Sequence, residues 1–108
     1  MIRVAINGFG RIGRAVYRIV SKRDDIEVVA VNDLFEPKML AYLLKYDTVM
    51  GRFHGSVSMQ GSTLRAATQE TKVLAIPDPL KLPWKEMEVD FVVESTGRFR
   101  KREVLLGD

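Results

Sequence analysis

Residues 7–13 read Asn-Gly-Phe-Gly-Arg-Ile-Gly, and no other stretch narrows the possible folds as far. Gly8, Gly10 and Gly13 have the spacing of a dinucleotide-binding turn. Spacing alone is a weak signal, because glycine-rich turns recur by chance. The flanks strengthen it. Before the turn, Ile2-Arg-Val-Ala-Ile6 is a short run rich in β-branched residues, as a buried parallel strand should be. After it, Ile12, Ala15, Val16, Ile19 and Val20 fall on one helical face, with Arg11, Arg14, Arg18 and Lys22 facing away. Strand, glycine turn and helix thus follow one another within one unit, which is the context the motif requires.

Each glycine has a separate task in such a unit. The first permits the tight turn, the second lets backbone approach a pyrophosphate, and the third lets helix and strand pack closely. The free N–H groups of the first helical turn, around Arg11 and Ile12, then point at the phosphates, where the helix dipole favours negative charge. The competing reading is a purely structural glycine turn. A second apolar run, Ile26-Glu-Val-Val-Ala-Val31, ends in Asn32-Asp33, and Asp33 lies 20 residues beyond Gly13. At that distance the fold places an acid on the adenosine ribose, where its charge would repel the 2′-phosphate of NADP. NAD is therefore the expected cofactor. The alternative for Asp33 is a solvated turn residue.

The rest of the chain continues the topology. Glu36-Pro37 opens a second helix, with proline where its missing N–H costs nothing, and Met39, Leu40, Leu43 and Leu44 form its apolar face. Val57 and Met59, a turn at Gln60-Gly61-Ser62, and Leu64 and Ala66 read as a small antiparallel hairpin inserted in the crossover. Lys72–Ile76 is a third buried strand, closed by Pro77-Asp-Pro79. Trp84 and Met87 are core residues rather than ligand contacts. Val89–Glu94 is a fourth strand, and a last helix begins near Arg100 and runs to Leu106. The fold class is α/β, a partial Rossmann domain over residues 1–108. Its doubly wound parallel sheet has strand order 3-2-1-4, so the turns Gly8–Gly13 and Ser95–Phe99 face each other across the crevice.

Four separated segments carry a resemblance. Asn7-Gly-Phe-Gly-Arg-Ile-Gly-Arg14, Ala30-Val-Asn-Asp33, Leu43-Leu-Lys-Tyr-Asp-Thr48 and Glu94-Ser-Thr-Gly97 together resemble the amino-terminal part of phosphorylating glyceraldehyde-3-phosphate dehydrogenase, from Met1 to about Glu103. The resemblance implies NAD-dependent oxidation of an aldehyde, through a thiol-bound intermediate, to an acyl phosphate. It also implies glycolysis, a cytoplasmic location and a homotetramer. In the family, the residues matching Thr96, Gly97 and Phe99 lie close to the adenosine half of NAD, and Asn32 lies beside it. Phe99 either stacks on the adenine or anchors the next helix in the core. Many members carry an arginine where Pro77 falls.

In that family a nucleophilic cysteine and its histidine base lie in a second, downstream domain. This chain of 108 residues has no cysteine and a single histidine, and thiohemiacetal formation needs a thiolate. His54, in Gly51-Arg-Phe-His-Gly55, reads as a surface loop residue with no nucleophile beside it. The expectation is a partial cofactor domain that binds the adenosine and pyrophosphate half of NAD, with no catalytic residue of its own. A portion of the related erythrose-4-phosphate dehydrogenase would share this stretch. A non-enzymatic module that binds adenine nucleotides, or a partner along a sheet edge, is the competing class.

Composition sets outer bounds. Hydrophobic residues at 46% and charged residues at 29% suit a folded globular piece. No apolar run is long enough to cross a bilayer, and the lack of cysteine removes disulfide frameworks and thiolate metal sites. Net charge is +3. The basic residues of the first helix and the cluster Arg98, Arg100, Lys101 and Arg102 have no interleaved aromatics. A solvated face that attracts an anionic dinucleotide fits them better than nucleic-acid binding. Finally, the fourth strand lacks the fifth that would cover it, so Val89, Phe91, Val92 and Val93 form an edge expected to drive self-association.

Overall fold

The computed structural model describes residues 1–47, 51–67, 69–95 and 104–105. At its centre lie β1 (Ile2–Asn7) and β2 (Ile26–Asn32), paired in parallel. Each carries a buried apolar stretch, Val4–Ile6 in β1 and Val28–Val31 in β2, so both need cover on two faces. To one side β2 pairs in parallel with β7 (Gln69–Leu74), and to the other β1 pairs in parallel with β8 (Phe91–Glu94). The parallel part therefore runs β7-β2-β1-β8, the 3-2-1-4 order expected from the sequence. The hairpin is present as β5 (Val57–Gln60) and β6 (Thr63–Ala66), and β6 pairs antiparallel with β7. It extends the main sheet rather than standing apart from it. Gly61 takes φ +61° at the first turn position, a conformation that glycine adopts without strain. β3 (Tyr46–Asp47) and β4 (Gly51–Arg52) make a separate two-stranded ribbon.

Helices α1 (Arg11–Val20) and α2 (Pro37–Lys45) cover one face of the sheet. Tyr17, Val20, Leu40 and Leu44 pack there with Ile6, Val28, Val31 and Phe9. The other face is covered by the segment before β8, where Trp84 and Val89 pack on Ala5, Val29, Ala30 and Val92. A register shift in β1–β2 between Val4 and Ala5 explains why adjacent Val29 and Ala30 both serve this second cluster. A bulge puts two residues of one strand opposite one of its partner. Trp84 is buried in the core, as expected, and Met87 packs against it partly buried.

Three details differ from the sequence reading. The buried stripe of α1 is Gly13, Tyr17, Arg18 and Val20, while Ile12 and Ile19 are 67% and 62% exposed. Gly13 must press against the turn below it, and that contact sets the rotation of the whole helix. Arg18 consequently points inward, where its Nη2 donates to the carbonyls of Leu44 (2.6 Å) and Gly51 (2.7 Å). On α2, Leu40 and Leu44 are fully buried, but Met39 is half exposed. Third, Val104–Leu105 form a short strand β9, not part of a helix, and pair antiparallel with Phe91 and Val92. An isolated helical turn is marginal, whereas the outer backbone groups of β8 offer hydrogen-bond partners to this segment. That edge is therefore partly covered. No helix among the described residues is long and apolar enough to cross a membrane.

Candidate functional site

β1, β2, β7 and β8 all end on the same side, and the strand order reverses at β1: the chain runs outward through β2 to β7 on one side, then crosses back to β8 on the other. A crevice at the carboxyl ends of the strands is where such a sheet binds ligands. Gly8 follows β1 at φ +98°, a backbone conformation that needs glycine. Its N–H donates to the Asn32 carbonyl at 2.8 Å. The Ser95 hydroxyl donates to the Gly8 carbonyl at 2.5 Å, and the Ser95 N–H to that of Asn7 at 2.9 Å. The turn is thus held from both neighbouring strands. Phe9 drops into the core, 1% exposed, and meets Tyr17 edge to face with centroids 5.7 Å apart.

The next three residues make the crevice floor. Gly10 is the N-cap of α1, and its carbonyl accepts the first helical bond, from Arg14 N–H at 2.9 Å. A Cβ placed on Gly10 would meet nothing within 4 Å, so the backbone there borders open space. A Cβ on Gly13 would collide with the Gly8 carbonyl and crowd Ile6 and the Ser95 hydroxyl. The two glycines therefore stand in opposite surroundings, open space at Gly10 and close packing at Gly13. No side chain caps α1, and its first turn holds no acidic residue. Arg11 and Ile12 are exposed. Their unpaired N–H groups and the positive end of the helix dipole suit an anion at this place.

Asp33 sits directly against this floor. Its Oδ2 accepts the Phe9 N–H at 2.7 Å and its Oδ1 accepts the Phe35 N–H at 3.0 Å. Each carboxylate oxygen keeps a second lone pair for a ribose hydroxyl. The turn role and the ribose role are compatible at this residue. Asn32, by contrast, is 6% exposed, with its amide bonded to Asn7 Oδ1 and to both backbone groups of Ile76. The structure thus brings Gly8, Gly10, Arg11, Ile12, Gly13, Asn32 and Asp33 to one crevice. Thr96, Gly97 and Phe99 lie outside the described residues. Sequence reasoning passed over Asn7, Glu94 and Ser95 as individual contributors. The signal was there, since Ile6-Asn7, Val31-Asn32 and Val93-Glu94 each end an apolar run on a polar side chain.

His54 lies away from the crevice, in an exposed loop as expected, but it is not without a partner. Its Nε2 is 2.8 Å from the Ser21 hydroxyl, and its ring stacks on Phe53 at 4.3 Å. Ser21 Oγ donates to the Arg18 carbonyl, so it accepts the imidazole N–H. Partial desolvation, then the charges of Lys22 and Arg18, hold the His54 pKa below its ordinary value. A neutral histidine hydrogen-bonded to serine here braces α1 against the loop.

The family model described as glyceraldehyde 3-phosphate dehydrogenase, NAD binding domain, matches residues 2–102. The chain is 61% identical over 105 residues to a glyceraldehyde-3-phosphate dehydrogenase of Thermotoga maritima, covering 95% of this chain and 32% of the relative. It is 57% identical over 102 residues to that of Geobacillus stearothermophilus, covering 94% and 30%. With the cytosolic enzyme of Trypanosoma brucei brucei the figures are 52% over 99 residues, 92% and 30%. The chain spans about a third of the length of these relatives.

Proposed function

This chain belongs to the glyceraldehyde 3-phosphate dehydrogenase NAD-binding domain family, and from that membership we propose that its crevice holds the adenosine and pyrophosphate half of NAD. The observation that carries the proposal is the open backbone at Gly10, beside the uncapped first turn of α1 and within one hydrogen bond of Asp33. The residues fit the cofactor chemically. Arg11, Ile12 and Gly13 present N–H groups to the diphosphate, and Asp33 presents carboxylate oxygens to the ribose. NAD is the cofactor of this domain family. When bound, it supplies the hydride acceptor for oxidation of an aldehyde.

The whole-protein activity is proposed on the same membership: phosphorylating oxidation of glyceraldehyde 3-phosphate to an acyl phosphate, within glycolysis. The 108 residues contain no cysteine, so the thiolate step falls to residues other than these, and this stretch alone is proposed to be inactive. Thr96, Gly97 and Phe99 are proposed to complete the adenosine side. A cytoplasmic location is supported by the Trypanosoma relative, whose name places that protein in the cytosol.

Calorimetric titration tests the cofactor reading. AMP, ADP-ribose and NAD should bind the 108-residue chain weakly and with similar affinity, and NADP more weakly still. Asp33→Asn should narrow the gap between NAD and NADP by removing the charge that repels the 2′-phosphate. Equal binding of NAD and NADP by the unaltered chain would refute the assignment of Asp33.

A further inference from the structure

Three apolar strands end on three polar side chains that touch in series. Asn7 Nδ2 donates to Glu94 Oε2 at 2.9 Å, and Asn32 Nδ2 donates to Asn7 Oδ1 at 2.9 Å. Asn32 then meets the Ile76 peptide on both sides. Its Nδ2 donates to the Ile76 carbonyl at 3.0 Å, and its Oδ1 accepts the Ile76 N–H at 2.8 Å. β7 ends at Leu74, so beyond that point the Asn32 side chain does the work of a strand ladder. Asn7 and Asn32 are 5% and 6% exposed, so their amide groups depend on partners within the protein.

A carboxamide can face either way, and its partners decide which. A carboxylate has no such freedom, because it only accepts. Glu94 therefore draws the Asn7 amino group toward β8 and leaves the Asn7 oxygen facing β2. That oxygen demands a donor, which fixes the Asn32 amino group toward it. The Asn32 oxygen is then left for the Ile76 N–H. With both Nδ2 hydrogens bonded within the protein, Asn32 has no donor to offer a ligand. The Asp33 N–H donates to Leu74 carbonyl at 2.9 Å, so the Ile76 segment runs alongside Asp33.

We propose that Glu94 is a positioning residue of the adenosine subsite, acting through Asn7 and Asn32 to fix the Ile76 peptide as the wall of the crevice beside Asp33. The functional half rests on the adenosine reading given above. The relay itself does not.

The test measures hydrogen exchange at the Ile76 amide in the ligand-free chain, together with AMP affinity, for wild type, Glu94→Leu and Glu94→Gln. Leucine keeps the volume without an acceptor, and glutamine keeps an acceptor oxygen. Glu94→Leu is expected to speed Ile76 exchange and weaken AMP binding by roughly tenfold each, the scale of one lost hydrogen bond. Glu94→Gln should stay near wild type. Amides of Tyr17 and Val28 report whether the core is intact, and should not change. Unchanged Ile76 exchange in Glu94→Leu would overturn the relay, and so would equal damage by leucine and glutamine. Faster exchange with unchanged AMP affinity would overturn the positioning role. Failure of the wild type to bind AMP would overturn the adenosine reading, a result that the ligand-free exchange keeps distinct from failure of the relay.

Discussion

Gly10 and Gly13 lie one helical turn apart under opposite constraints, and the contrast yields a test on single residues. A methyl group at Gly10 meets open space, while one at Gly13 runs into the Gly8 carbonyl. Backbone cannot yield as a side-chain tip can, so α1 would have to lift from β1. Gly13→Ala is expected to lose about 1–3 kcal/mol, the usual scale of overpacking. Gly10→Ala is expected to cost less than about 1 kcal/mol, the modest preference for glycine over alanine at an N-cap. Urea unfolding midpoints measure both, and equal losses would show that the turn is not packed as described. The spacing of the glycines was legible in the sequence because the chemistry of each is local. The partners of Asn32 were not. Its amide answers to Asn7 and Ile76, which are distant in sequence, and only the parallel register brings them together.

Elements were legible where one strong pattern governs them. β1 and β2 are largely apolar, α2 starts at Pro37, and the hairpin turns at Gly61, and each lies within two residues of its expected place. The rotation of α1 was misread because Ile12 and Ile19 fit an apolar stripe as well as Tyr17 and Val20 do. The winning stripe is the one in line with Gly13. Buried Arg18 is the cost of that choice and also its compensation. Its guanidinium caps the carbonyl end of α2 at Leu44 and joins it to β4 at Gly51, with Phe53 beneath it at 5.6 Å. Charge-assisted bonds of this kind are stronger than neutral ones. Arg18→Met, which keeps the stem but not the donors, is expected to cost about 2–4 kcal/mol in chemical denaturation because it strands two carbonyls. A loss within the error of the measurement would show that solvent replaces the guanidinium freely.

At the scale of the whole molecule, β9 lies at the edge of the main sheet beside β8. β9 pairs with Phe91 and Val92, so the outer side of β8 is not the continuous template that the sequence implied. Val92 is buried in the second core cluster, whereas Phe91 is 44% exposed and available for contact. Self-association remains our proposal, now through exposed apolar side chains such as Phe91 rather than through a bare strand. Sedimentation of the wild type should depend on concentration, and Phe91→Lys should weaken that dependence. Matching coefficients at all concentrations would count against this surface. The central claim, that the carboxyl ends of β1 and β2 form a site for the adenosine and pyrophosphate of NAD, is tested most directly by amide chemical-shift mapping with ADP-ribose. The account expects shifts centred on Gly8–Gly13, Asp33–Phe35, Ile76 and residues 95–99, and their disappearance in Gly10→Val. Shifts of equal size in that variant, or a footprint centred on the exposed side of α2, would contradict it.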